Sequence, residues 1–205
     1  MSGRDQESDR LMAALSRGDD AALEGLIHRW ERSIMSFVFG YLRNESLARE
    51  VTQETFVRLY QKRDLFKAGS SFSSWVFTMA ANLARNKLRH LKRHGMRSLD
   101  EALLAGDGPL YGVARGGTPR SALSSKQTME ALNASLQELS HDLRTTLLLY
   151  HYENLSYKEI GRIVGCTAHG VQSRLYRARR RLRRSLLRRL EGGEGLELLP
   201  FPEGG

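Results

Sequence analysis

From Leu11 to Leu91 the apolar residues fall three or four places apart, the period of a helix. The groups are Leu23, Leu26, Ile27 and Trp30; Ile34, Phe37, Val38, Tyr41 and Leu42; Val51, Thr55 and Leu59; and Trp75, Met79 and Leu83. Four amphipathic helices in a bundle would bury these stripes. The pattern fails between Gly95 and Thr118, where Gly95, Gly106, Gly108, Gly112, Gly116, Gly117 and Pro109 replace any sustained apolar face. It returns at about Lys126 with Met129, Leu132 and Leu136, then Leu143, Leu147 and Leu148, then Ile160, Ile163 and Val164. No period-two run of β-branched residues suggests a strand. The expected fold is therefore all-α, two small helical domains joined by a flexible linker. The expected boundaries are a polar N-terminus at 1–10, a first domain at 11–95, a linker at 96–125, a second domain at 126–190, and a disordered, acidic Gly-rich tail at 191–205.

Inside the second domain, the stretch LSYKEIGRIVGCTAHGVQSRL carries punctuation for two short helices. Ser156 and Glu159 have the spacing of a capping box, which starts a helix that buries Ile160, Ile163 and Val164, and Gly165 ends it. A connector from Cys166 to His169 leads to a second helix, whose Val171 can pack back on the first. This is the plan of a helix-turn-helix, in which the second helix enters the DNA major groove. Val171, Leu175, Leu182 and Leu186 define the docking face of that helix; Ser173, Arg177, Arg180, Arg184 and Arg188 define the opposite one.

Charge changes the picture here. Lys+Arg 32 against Asp+Glu 23 gives a net charge of +9, and Gly170 to Leu190 alone holds nine arginines and no acid. Such an excess calls for a polyanion, either nucleic acid or an anionic membrane surface. Near the N-terminus of the helix, Gln172, Ser173, Tyr176 and Arg177 are placed to reach base edges, since Gln pairs with adenine and Arg with guanine. Further along, Arg180, Arg184 and Arg188 suit phosphates or a protein partner. The rival readings are a merely solvated basic face and an amphipathic helix lying on a membrane.

Two stretches of the first domain complement this one. In SFSSWVFTMAANLARNKLRHLKRHGMR, the aromatics Phe72, Trp75 and Phe77 stand immediately before a helix with Arg85, Lys87, Arg89, Lys92 and Arg93. Aromatic faces beside cations suit unpaired DNA, although Trp75 and Phe77 taken alone also fit a core. In AREVTQETFVRLYQKR, Glu50 and Glu54 lie one turn apart with Gln53 between them and Phe56 and Tyr60 nearby. DNA would repel that acidic and amide-bearing patch, so it is a candidate docking surface for a basic protein partner, or else ordinary helix surface.

Taken in this order, the stretches resemble a bacterial RNA polymerase sigma factor of the extracytoplasmic-function class. AREVTQETFVRLY followed by SFSSWVFTMAANLARNKLRHLKR resembles the sigma-2 signature, with Gln53-Glu54-Thr55-Phe56 at its centre. LQELSHDLRTTLLLYHYENLSYKEIGRIVGCTAHGVQSRLYRARRRL resembles the sigma-4 signature, and SRGDDAALEGLIHRW the opening of the first domain. The likeness runs from Leu11 to Leu190, leaving out the tail and the middle of the linker. It implies a sigma-2 helical bundle and a sigma-4 helix-turn-helix. Glu50, Gln53, Glu54, Phe56 and Tyr60 would bind core RNA polymerase. Phe72, Trp75, Asn82, Arg85, Asn86 and Arg89 would capture and melt the minus-ten element as single strands. Gln172, Ser173, Arg174, Tyr176, Arg177 and Arg180 would read the minus-thirty-five element as duplex. It also implies an anti-sigma factor as a partner. The chain departs from the common pattern at His169-Gly170-Val171, where Gly-Thr-Val is frequent, at Asn86 for Asp, at Ala81 for Arg and at Ser140 for Pro.

Other chemistry finds little support. The sequence contains no phosphate-binding loop, no H-E-x-x-H and no nucleophile elbow, so no enzyme and no cofactor is expected. Cys166 is the single cysteine, which excludes an internal disulfide. His90 and His94 are one turn apart but lack a third ligand, so no metal is expected. The opening MSGRDQESDR has no apolar core and SIMSFVFGYL is too short to span a bilayer; no membrane insertion and a cytoplasmic location are expected. Two rivals of other classes remain: a dimeric helix-turn-helix regulator, and a first domain that binds only protein.

Overall fold

The computed structural model describes residues 3–67, 69–93, 119–152 and 155–190. All regular structure among them is helical: α1 (Gly3–Ser16), α2 (Ala21–Leu42), α3 (Glu45–Gln61), a 3-10 turn (Arg63–Leu65), α4 (Phe72–Arg93), α5 (Pro119–Gln137), α6 (His141–Tyr152), α7 (Tyr157–Val164) and α8 (Ala168–Arg189). The expected linker from Gly95 to Thr118 and the tail at 191–205 lie outside the described residues. Helix α5 starts at Pro119, ahead of the return of periodicity at Lys126, because proline is well suited to a first helical turn.

Helices α1 to α4 form the expected bundle. Leu26, Trp30, Ile34, Phe37 and Val38 of α2 meet Val51, Phe56 and Leu59 of α3 and Phe72, Val76, Phe77 and Ala80 of α4. Trp30 is the hub, with its ring centroid 5.3 Å from that of Phe72 and 6.0 Å from that of Phe77. Asn44 starts α3 by accepting from the Leu47 N–H at 2.9 Å. The polar opening of the chain is not a tail: residues from Gly3 belong to α1, and Asp5 and Ser8 are buried. Composition alone hides this, since the partners of those two polar side chains lie 22 to 68 positions away.

The second group is held by one arginine. Arg144 of α6 is 2% exposed. Its Nε donates to the Leu136 carbonyl at 2.9 Å, and Nη2 donates to the carbonyls of Gln137 at 2.7 Å and Leu139 at 3.2 Å. These carbonyls lie at and just beyond the C-terminus of α5, where intrahelical donors run out; that of Leu136 also accepts from the Leu139 N–H at 3.2 Å. Nη1 donates to Gln137 Oε1 at 2.9 Å and reaches the Tyr41 carbonyl at 3.5 Å. Gln137 Nε2 donates to that same carbonyl at 3.0 Å, and Tyr41 Oη and His141 Nδ1 are hydrogen-bonded at 2.7 Å. The two helical groups are therefore in contact, α2 against α6 and α4 against α7. A freely separated pair of domains is not what the structure shows.

Burial, with the nearby Arg179, pushes the His151 imidazole down from 6.5 to about 4. The folded state then binds fewer protons than the unfolded one below pH 6.5, so stability is full above that pH and is lost as pH falls toward 4. Thermal melting across pH 7 to 4 should show a falling midpoint, with a shallower slope in His151→Phe. His141 contributes in the same direction: burial lowers its pKa first, Arg85 second, with Asp142 opposing.

Candidate nucleic-acid interface

Helix α8 owes its direction to the turn before it. The Ser156–Glu159 capping box is present in both halves, and Gly165 ends α7 in the left-handed conformation at φ 66°. Its N–H closes on the Gly161 carbonyl, and Thr167 Oγ1 then caps α8 by accepting from the Gly170 N–H at 3.1 Å. Periodicity does not disclose the role of Gly161. A Cβ there would stand 2.5 Å from the Cys166 carbonyl oxygen, a backbone atom, so the turn closes only over a glycine. Gly161→Ala is expected to lower stability by about 1–3 kcal/mol, read by chemical denaturation, because the turn has to open to admit the methyl.

With Val171, Leu175, Ala178, Leu182 and Leu186 buried, α8 presents Gln172, Tyr176, Arg177, Arg180, Arg181 and Arg184 to solvent. Tyr176 is 66% exposed and stands between Gln172 and Arg180 on one stripe. Ser173 is half-buried, and its carbonyl accepts from Arg177 Nε at 3.3 Å. Arg174, expected to face the minus-thirty-five element, is engaged within the fold. Its Nη1 donates to the Val164 carbonyl at 2.9 Å, and Nη2 pairs with Asp142 at 3.3 Å, so it fastens α8 to α7 and α6. At the far end Arg188 and Arg189 share Glu138, just past α5, whose carboxyl is held below its usual range by hydrogen bonds from Ser185 and Arg189. Arg188 is thus partly committed within the fold.

Helix α4 carries a second stripe. Trp75, Asn82, Arg85, Asn86 and Arg89 follow helical spacing on one side; the last four are exposed and Trp75 is half-buried, its ring 5.2 Å from that of Phe66. Arg89 Nη2 donates to Asn86 Oδ1 at 2.8 Å. The aromatics expected ahead of the helix are within its opening turns, since α4 begins at Phe72. Phe72 itself is fully buried between Trp30, Phe66 and Trp75, and Phe77 is fully buried too. Neither ring has a free face for a base; Phe72 supports Trp75 instead.

The acidic face of α3 is more neutral than its sequence implies. Glu50 accepts from Lys87 Nζ of α4 at 2.7 Å, and Glu54 pairs with Arg58 one turn on at 2.8 Å. Gln53 is exposed and Tyr60 half-buried, whereas Phe56 is buried and points into the bundle. Two apolar residues absent from the sequence reading stand out: Val57, 49% exposed and one turn beyond Gln53, and Leu65, 68% exposed in the 3-10 turn. For Val57 the signal is spacing, since Gln53, Val57 and Tyr60 fall on one edge of α3; Leu65, outside that helix, has no such signal.

Among the described residues no group of three His, Cys, Asp or Glu could hold a metal ion, and no helix is long and apolar enough to cross a membrane.

Comparison with known proteins bears on both basic helices. Residues 26–94 match the model of sigma-70 region 2, which includes α3 and α4. Residues 129–182 match that of sigma-70 region 4, which includes the helix-turn-helix and the first two-thirds of α8. The chain is 29% identical over 186 residues to the RNA polymerase sigma-H factor of Pseudomonas aeruginosa, covering 88% of this chain and 95% of that protein. It is also 29% identical over 170 residues to the ECF RNA polymerase sigma-E factor of Escherichia coli, covering 82% and 88%. In fold it is similar to CnrH in complex with the cytosolic domain of CnrY, with a TM-score of 0.60 at 21% identity over 86% of this chain and 94% of that one. It is likewise similar to the sigma factor RpoE of Bartonella quintana in complex with the anti-sigma factor NepR, with a TM-score of 0.53 at 23% identity over 80% and 95%.

Proposed function

The chain belongs to the extracytoplasmic-function class of sigma-70 factors, and from that premise we propose how its surfaces divide the work of promoter recognition. A sigma factor gives core RNA polymerase its choice of promoter; the chemistry is the polymerase's. The observation that carries the assignment is that regions 2 and 4 match in chain order, and each match contains one of the two basic helices described above.

In this reading residues 11–95 are the region-2 unit, 126–190 the region-4 unit and 96–125 their tether. Tyr176, Gln172 and Arg177 of α8, with Ser173 and Arg180, read the minus-thirty-five duplex from the major groove. Trp75 and the stripe Asn82, Arg85, Asn86 and Arg89 of α4 take the unpaired minus-ten strand, the ring offering a stacking surface and the guanidiniums meeting phosphate. Core polymerase docks on α3 through Glu50, Gln53, Glu54 and Tyr60, and Val57 and Leu65 supply the apolar centre that a stable interface needs. The work is done in the cytoplasm, where promoters and polymerase are found. By likeness to the two complexes, an anti-sigma protein masks one or both units; co-purification from cells should recover it.

Docking is tested by titrating core polymerase with the full chain. Val57→Asp should weaken assembly about tenfold or more, as expected for a charge placed in the apolar centre of an interface. Unchanged affinity would place the docking face elsewhere.

A further inference from the structure

Helix α1 precedes the region-2 match, which begins at residue 26, yet it is tied to the segment that leads into α4 at both of that segment's ends. Ser16 Oγ donates to the Arg63 carbonyl at 3.2 Å, at the start of the 3-10 turn. Asp5, 2% exposed, accepts from the Ser73 N–H at 2.9 Å, from Ser73 Oγ at 3.2 Å and from Ser71 Oγ at 3.4 Å, at the start of α4. Between these anchors, Ser8 Oγ accepts from Trp30 Nε1 at 2.8 Å, which fixes α1 to α2. The helix is a brace across residues 63–73.

Burying a carboxylate is expensive, and starting α4 does not require it. Ser71 already caps the helix locally, accepting from the Ser74 N–H at 3.3 Å. What Asp5 adds is long-range: it fixes that cap, and with it the first turn of α4, relative to α1 and α2. Phe66, Phe72 and Trp75 form one cluster of tilted and edge-on rings at this turn, with centroids 6.0 Å apart for Phe66 and Phe72 and 5.2 Å for Phe66 and Trp75. Displacing the turn therefore turns the Trp75 ring away from the Asn82–Arg89 stripe that shares its side of α4. Exposed Lys67 and Gly69, the latter at φ +79°, lie on the same braced stretch.

We propose that Asp5 is a positioning residue for capture of the unpaired minus-ten strand, holding the first turn of α4 and Trp75 where a base can stack. The inference rests on the assignment of α4 to minus-ten DNA.

The test uses holoenzyme built from core polymerase and the full chain, and a forked promoter DNA with a duplex minus-thirty-five region and a single-stranded minus-ten strand. The same DNA lacking the single strand serves as reference. Asp5→Ala should lose about tenfold of the affinity that the single strand adds, comparable to losing one stacked base, with core binding and reference binding unchanged. Asp5→Asn, which retains an acceptor for the Ser73 N–H, should recover most of it; Arg10→Ala, an exposed residue of α1 paired with Glu7 on the same helix, should behave as wild type. Equal affinity in Asp5→Ala and wild type, or parallel losses on both DNAs, would overturn the proposal. A wild-type holoenzyme that gains nothing from the single strand would instead overturn the assignment of α4.

Discussion

Alanine in place of Arg144 is expected to remove about 3 kcal/mol or more of folding stability, the largest loss for any single side chain of the second group. The figure follows from the Gln137 and Leu139 carbonyls losing the Arg144 donor, each such loss costing about 1–3 kcal/mol. Arg144 serves the carbonyls of Leu136, Gln137 and Leu139, and its Cζ stands 4.9 Å from the centre of the Tyr41 ring. Alanine can do none of this. Lysine should restore only part of the loss, since one ammonium cannot address three carbonyls in the plane that a guanidinium spans. Urea denaturation of the three proteins checks the order wild type, Lys, Ala. Because Arg144 and Gln137 also hold the Tyr41 carbonyl at the end of α2, the alanine variant should loosen the contact between the two helical groups as well. Faster amide hydrogen exchange at the C-terminal end of α2 and in α6 would report that opening. A variant as stable as wild type would mean that the carbonyl network carries no net free energy.

The second large effect is on DNA. Arg177→Ala and Gln172→Ala are each expected to cost about 1–3 kcal/mol of discrimination at one base pair of the minus-thirty-five element, and together about a hundredfold or more in affinity. Both side chains are exposed near the start of α8, and Thr167 and the tight turn over Gly161 fix the direction in which they project. Arg184→Ala should behave differently. It lies some four turns along the helix, beyond one base-reading contact, so its loss should weaken all sequences alike and reduce the salt dependence of binding by about one unit. Binding isotherms at several salt concentrations, on matched and mismatched duplexes, separate the two behaviours. Arg174→Ala serves as a contrast, because its partners are Val164 and Asp142; its effect should be on the stability of the helix-turn-helix, with base preference unchanged.

The contrast between Arg174 and Arg177 shows where the sequence was informative. Helical periodicity disclosed the bundle, the capping box and the long basic helix, because each is a local pattern: Ser156 and Glu159 are three apart, and Val171, Leu175, Leu182 and Leu186 lie on one face. Local patterns do not say which of nine arginines are used up inside the fold. Arg174 is consumed by residues ten and thirty-two positions away, and Arg188 and Arg189 by Glu138, some fifty positions back. The same reason hid Asp5, whose partners are Ser71 and Ser73, and Arg144, which sits inside an apolar run and satisfies carbonyls on two other helices. Aromatic residues misled in the opposite sense. Phe56 and Phe72 fall within motif stretches, yet both are buried, while Val57, next to Phe56 in the same stretch, is exposed, and so is Leu65, which lies outside both stretches. Motif membership marks the element that does the work; solvent exposure decides which of its side chains can touch a partner.

The account stands on promoter-directed initiation by core polymerase. The most direct measurement is run-off transcription from a library of random upstream sequences, with and without the chain. Transcripts that depend on the chain should share two spaced sequence motifs, and the Gln172→Ala, Arg177→Ala double variant should relax the upstream motif while leaving the downstream one intact. A core polymerase that gains no initiation, while the chain alone binds a palindromic duplex as a dimer, would contradict the assignment and make the protein a conventional helix-turn-helix regulator.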